Sequence, residues 1–350
     1  MTFNYSNVYL NETSTISGHL EKEGNYGNYF DKSYKDYYMN EKSFEKAEVK
    51  LFSESIEILL KKLNKESKDI NLLIGGDLSN QISVSSYGSL KYNIPFLGVY
   101  TACATSVEQI IIASTFIDSK KINNCICTTS SHNLVSEKQF RNPVEYGAPK
   151  PKTSTFTSTG GASCYLSNVK KGVRISSSTI GKIINLNQTD VNNQGSIMAP
   201  AAADTIYNHL KNTNTKIDDY DLVLTGDLGV FGKKILKDYI KKEYNIILGS
   251  NYNDCGSMLY DFTKQKEITA GGSGPVCSCL VNYSYVFDKL KKKEFKKVLL
   301  VATGELFSPT FVYQKNPIVA IANAVCLEAL WHIYIHFYFV VLFVLLLKLF

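Results

Sequence analysis

The stretch FLGVYTACATSVEQIIIASTFID, residues 96–118, decides how the chain is read. A strand-like run, Phe96–Tyr100, meets a turn of small residues around Cys103. A long apolar run follows, too even to be anything but a buried helix. A cysteine there is a nucleophile, the relic of one that now contacts a ligand, or a small core residue.

Working outward, the chain repeats itself. DINLLIGGDLSN (69–80) and DYDLVLTGDLGV (219–230) align without gaps at an offset of 150, placing Asp69 over Asp219, Gly76 over Gly226, Asp77 over Asp227 and Leu78 over Leu228. Each is a buried strand entering a tight turn. The stretch around Cys103, extended to TACATSVEQIIIASTFIDSKKINNCICTTSSH (101–132), shares its plan with GPVCSCLVNYSYVFDKLKKKEFKKVLLVATGE (274–305): small-residue turn, apolar helix, lysine-bearing turn, buried strand. Here the offset is 173, so about 23 extra residues are expected between Glu243 and Ile268. Two copies of one strand–helix–strand plan predict an α/β fold of similar halves packed in layers, with ligands at strand ends and helix N-termini where they meet.

Composition agrees. At 350 residues and 44% hydrophobic content the chain can bury a large core. The net charge of +6 is spread over lysines interleaved with acids, and no aromatic-rich basic stripe appears, which argues against nucleic acid. Only Arg141 and Arg174 are arginine, against 36 lysines, so each arginine invites a question. The N-terminus shows no secretory pattern, and the eight cysteines include two CxC pairs, Cys125/Cys127 and Cys277/Cys279, a spacing that suits buried small residues better than zinc. Reduced intracellular thiols and no metal centre are expected. The end differs: ALWHIYIHFYFVVLFVLLL (329–347) is long enough to cross a bilayer and reads as a membrane-seeking anchor, with a buried strand pair or a non-native extension as alternatives.

A duplicated half with a cysteine at the head of a buried helix resembles the thiolase and ketoacyl synthase superfamily, and GVYTACATSVE is similar to its nucleophile turn. TTSSHN (128–133), EKQFRNPVEYGAPKP (137–151), TAGGSG (269–274), LLVATGELFSPT (299–310) and IANAVCLEA (321–329) together resemble the stage V sporulation protein AD (SpoVAD) family, over about residues 3–329. The resemblance implies a layered α/β/α/β/α fold with halves at 1–170 and 171–329 and a tail, 330–350, outside it. It implies a homodimer, with NNCICTTSS (123–131) as the expected contact. It also implies a non-enzymatic protein of the developing spore, peripheral or C-terminally anchored at the spore inner membrane beside other SpoVA-type membrane proteins. The implied ligand is dipicolinic acid, possibly with calcium, moved into the spore and released on germination. No cofactor is implied.

Chemistry refines the site. At a helix N-terminus Cys103 should have a lowered pKa. Condensing enzymes add a histidine and an amide or second histidine from the second half, but the corresponding turns offer Asp227, glycines, Ser273 and Pro275. His132, directly after a strand, is either a site residue or a strand-cap histidine bonded to backbone. A dicarboxylate would lie between Thr101–Ser106 and Gly271–Gly274, with Thr101, Cys103, Ser131, His132, Gly271, Gly272 and Ser273 around it. Arg141 would fork onto one carboxylate, or pair with Glu145 structurally. The alternative is an acyl-transferring or condensing enzyme using Cys103.

Overall fold

The computed structural model describes residues 1–140 and 150–330. The chain opens with β1 (Thr2–Asn4), β2 (Tyr9–Ser17), α1 (His19–Glu23) and β3 (Lys32–Ser33). Ser43 then starts α2 (Phe44–Leu63), its Oγ accepting from Lys46 N–H, and Asn64 ends it in the left-handed conformation at φ 52°. A single turn follows, in which Asp69 Oδ2 accepts from Glu66 N–H at 2.9 Å. The first half continues through β4 (Leu73–Gly76), α3 (Ser83–Ser89), β5 (Phe96–Gly98), α4 (Thr105–Asp118), β6 (Asn124–Ser131), α5 (Asn133–Phe140), β7 (Phe156–Thr157) and β8 (Gly160–Ser167).

The second half reuses these devices. After β9 (Val173–Thr179), α6 (Gln194–Thr213) is 20 residues long, as α2 is, and also ends on a left-handed asparagine, Asn214. Asp219 Oδ2 accepts from Lys216 N–H at 2.7 Å, as Asp69 does for Glu66. Then come β10 (Leu222–Thr225), α7 (Gly229–Tyr244), β11 (Tyr252–Asp254), α8 (Cys255–Leu259), β12 (Gly272–Ser273), α9 (Pro275–Leu280), α10 (Phe287–Lys291), β13 (Lys297–Glu305), α11 (Pro309–Tyr313) and β14 (Ala320–Ala329). The extra length is taken up by a longer α7 and by α8 with the loop leading to β12.

Strand order makes the duplication explicit. The first half runs β5-β4-β6-β8-β2 and the second β11-β10-β13-β14-β9. In both, the first three strands are parallel and the last two pair antiparallel. The halves join where Tyr9 and Leu10 of β2 pair with Arg174 and Val173 of β9. Between the two halves of this continuous sheet lie α4 and the α9–α10 helix, whose Val107, Ile110, Ile117, Val276, Leu280 and Leu290 share one core with both. On the outer faces, α2 packs through Phe52, Ile56 and Leu59 on the first sheet, and α6 and α7 pack on the second through Ile206, Leu236 and Ile240. This is the layered α/β fold of two similar halves that the repeats imply.

One expectation is overturned. Residues 124–131 form β6, paired to β4 on one side and β8 on the other, and buried along nearly its whole length. Both ladders are used, so β6 has no edge to offer a second chain. The free edge of the first sheet is β5, whose Phe96 and Leu97 are 38% and 36% exposed. Among the described residues no helix is long and apolar enough to cross a membrane; the apolar stretch from 331 onward lies outside them.

Candidate functional site

Cys103 sits in the turn Ala102–Ala104 between β5 and α4. Ala102 is held at φ 50°, a conformation costly for a residue with a side chain, and the turn is fixed around it. Ala104 N–H donates to Thr101 O, Thr105 Oγ1 donates to Ala102 O, and Thr101 N–H donates to Thr105 Oγ1. Strand β13 crosses so close that a Cβ on Gly304 would lie 2.3 Å from Thr101 O, so glycine is required there.

The half-buried Cys103 thiol meets the second half across the seam. Burial raises its pKa well above the usual cysteine value, and the Asp227 carboxyl beside it and Glu305 further off push the same way. The Gly274 N–H opposes them but does not prevail. The expectation of a lowered pKa is therefore corrected: apolar walls and two carboxyls outweigh the helix end, and Cys103 stands as a thiol. Asp227, which follows β10, is itself raised to about 7 by burial. Thr303 donates to its Oδ1, while buried Oδ2 has no partner of ordinary hydrogen-bond geometry although the thiol is near enough to favour its charged form.

In front of Cys103 is a cavity of about 80 Å³. Tyr100, Phe140 and Phe307 form its aromatic wall, the last two edge to face at 5.6 Å. Leu78, Tyr100, Phe140 and Phe307 also line an outer cleft of about 400 Å³, so this wall separates an inner chamber from an outer one. Ser273, Gly274, Gln194, Glu137 and Glu305 are among the polar residues that line the inner chamber. Glu137 pairs with Lys150 at 2.6 Å. Among the described residues no cation lines the cavity, and no group of three His, Cys, Asp or Glu side chains is gathered for a metal ion.

The structure brings Cys103 and Ser273 together and sets the other described candidates apart. His132 is buried behind the site: its Nε2 meets Tyr37 O at 2.9 Å, its ring packs on Phe44, and burial lowers its pKa, so it is the backbone-bonded strand-end histidine. Thr101 directs its hydroxyl to Glu108, 2.7 Å away, rather than into the cavity. Ser131 is buried and donates to Ser158 O. Gly271 and Gly272 also fall outside the lining. A Cβ on Gly272 would lie 2.9 Å from Cys277 Sγ, Ser158 Oγ and the Tyr260 ring, so that glycine faces packed protein and forms no cradle wall. Arg141 and Glu145 lie outside the described residues, directly after Phe140. Glu137, Phe140, Glu305 and Phe307 sit within motifs that the sequence singles out, EKQF and ATGELF, but only the fold shows that they converge.

This architecture is a thiolase-like fold, and comparison of structures agrees. The human mitochondrial 3-ketoacyl-CoA thiolase aligns with a TM-score of 0.57 at 10% identity, over 93% of this chain and 99% of that one. The 3-oxoacyl-(acyl-carrier-protein) synthase III of Aquifex aeolicus aligns with a TM-score of 0.52 at 11% identity, over 93% and 98%. At such identities the likeness is one of fold. The family is given by sequence: residues 1–328 match stage V sporulation protein AD (SpoVAD). The stage V sporulation protein AD of Bacillus subtilis (strain 168) is 42% identical over 321 residues, covering 92% of this chain and 94% of that protein. The chain belongs to the SpoVAD family.

Proposed function

We propose that this protein is a non-enzymatic sporulation component that binds dipicolinic acid, as its calcium chelate, in the chambers before Cys103. The observation that carries the reading is the aromatic slot of Tyr100, Phe140 and Phe307 set beside Glu137 and Glu305. A flat pyridine ring suits the slot, but a bare dianion would meet carboxylates. The chelate turns its calcium toward the Glu305 carboxylate and stacks its ring on the aromatic wall, while Glu137 keeps its pair with Lys150. Cys103, held as a thiol, supplies shape rather than chemistry. Arg141, next after Phe140, remains the proposed planar cation for an outer carboxylate. The protein would act as a homodimer beside SpoVA-type membrane proteins at the spore inner membrane, in dipicolinate uptake and release. Its pairing edge would be β5, where Tyr87 and Leu90 of the neighbouring helical segment add exposed apolar surface.

Calorimetric titration tests this with dipicolinate, calcium and both together. Binding is expected with both, within about threefold of wild type in Cys103→Ser and at least tenfold weaker in Glu305→Gln. Arg141→Lys should cost about 1.5 to 3 kcal/mol. Equal binding of dipicolinate without calcium, with Glu305→Gln unchanged, would overturn the chelate reading. The second reading, acyl transfer by Cys103, draws on the strained Ala102 elbow. A stable acyl adduct on Cys103 after incubation with acyl-CoA, seen by intact mass, would establish it.

A further inference from the structure

A second concavity lies on the far side of the second half, between α7, the residues at the start of α8 and the loop after α1. It is a groove of about 730 Å³. Its floor is apolar, from Tyr26, Val230, Met258 and Phe262, and one wall carries Lys233, Lys234 and Lys237. None of the three lysines has a carboxylate within 4 Å among the described residues.

α7 begins at Gly229, so Lys233 and Lys234 stand in its second turn and Lys237 in its third, which sets three cations along one wall of the groove. Asp254 behind the groove favours the charge of Lys233 through space but, among the described residues, forms no ion pair with any of the three. Its oxygens are already committed to Thr225 Oγ1 and to the N–H groups of Leu228, Gly229 and Ser257. Lys233 donates to Asn253 Oδ1, and Lys237 Nζ lies over the Tyr252 ring at 5.8 Å. Lys234 is exposed. The other acids of α7 are Asp238, one residue past the cluster, and Glu243, which pairs with Lys242 at 3.8 Å. Burial lowers the Lys233 pKa; Asp254 opposes that shift and Lys237 adds to it.

We propose that this lysine groove binds the phosphate group of an anionic ligand that also has an apolar part, either a phospholipid headgroup at a membrane surface or a soluble phosphate ester. The phosphate would be held by Lys234 and Lys237, with Lys233 braced on Asn253. The apolar part would lie on Tyr26, Met258 and Phe262. Two to three point charges suit a compact, multiply charged oxyanion, and the apolar floor distinguishes the ligand from a bare ion. This goes beyond dipicolinate binding and does not depend on it.

The test uses the full chain in three forms: wild type, Lys234→Glu/Lys237→Glu, and a control, Lys170→Glu/Lys171→Glu, with the same change in net charge at another exposed site. All keep residues 331–350, so any contribution from that segment cancels. Co-sedimentation compares phosphatidylglycerol with phosphatidylcholine vesicles. Lysine acetylation, read by mass spectrometry, measures protection of Lys234 and Lys237 by inorganic phosphate and by glycerol phosphate. Binding to the anionic vesicles that falls about tenfold or more in the groove variant but not in the control identifies a lipid headgroup. Protection by glycerol phosphate without vesicle binding identifies a soluble ester. An equal loss in both variants, or no response in either assay, overturns the proposal. Titration of dipicolinate with calcium into the groove variant should match wild type, so the two proposals fail separately.

Discussion

Cys103 and Asp227 face each other across the seam between the halves, a thiol from the first turn opposite a carboxyl from the second. The carboxyl raises the cost of charging the thiol, whereas the thiol, close enough to bond, favours the charged carboxylate. Replacing Asp227 by Asn removes one negative charge, so the Cys103 pKa should fall. Alkylation of Cys103 by iodoacetamide, followed against pH, should shift to lower pH by at least one unit, a tenfold gain in rate near neutrality. An unshifted profile would mean that burial alone sets the thiol.

Three buried carboxyls should make stability fall with rising pH. Glu21 and Asp227 are raised to about 7 from ordinary values of 4.5 and 3.8, and Asp254 to about 6, all chiefly by burial. Each binds its proton more tightly folded than unfolded, so its stabilisation is full at low pH and is lost as pH rises through the folded value. His209, lowered to about 4, works the other way, but its contribution is complete once the unfolded value of 6.5 is passed. Between about pH 6.5 and 8 the carboxyls should dominate, lowering the melting temperature by several degrees, and Asp227→Asn should flatten that slope. A melting temperature constant across this interval in wild type would contradict it.

Gly272→Val should act on folding before it acts on binding. The added side chain meets Cys277, Ser158 and Tyr260 inside packed protein, and a loss of about 2 to 4 kcal/mol in denaturant unfolding is expected. Full stability with loss of ligand would return Gly272 to the cavity wall.

The proposed dimer should depend on β5. Leu97→Asp places a charge on β5, the free edge of the first sheet among the described residues, and should give monomers in light scattering at micromolar concentration, whereas wild type gives dimers. A wild-type monomer, or a dimer untouched by the substitution, would exclude this edge.

Truncation should be tolerated after Leu330 and not after Leu327. Strand β14 runs to Ala329, whose N–H donates to Lys296 O, and Glu328 pairs with Arg174 and Lys297. Ending at Leu330 should leave the melting temperature within about 2 °C of the full chain, while ending at Leu327 should lower it by several degrees.

The fold was legible because its signals are local. The gapless match of Asp69 with Asp219 reports two turns that each close on their own aspartate, and buried helices and strands follow from hydrophobic runs. The site was legible only in part. Cys103 and Ser273 were identified from their turns, but Phe140 and Phe307 are 167 positions apart in the chain and meet only because the two halves of the sheet pack on shared helices. For His132 two readings stay open in the sequence, which places a residue at a strand end without saying which way the ring turns. Cys103 misled because helix ends are visible in sequence and the burial of its thiol is not.

The matched turns have a use of their own. Asn64 and Asn214 end helices of equal length, and Asp69 and Asp219 close the turns that follow, so the molecule carries each local device twice in two different neighbourhoods. The same substitution made in either copy is an internal replicate: what the two share belongs to the turn, and what differs belongs to the layer it supports. Few chains allow local and tertiary contributions to be separated without reference to a second protein.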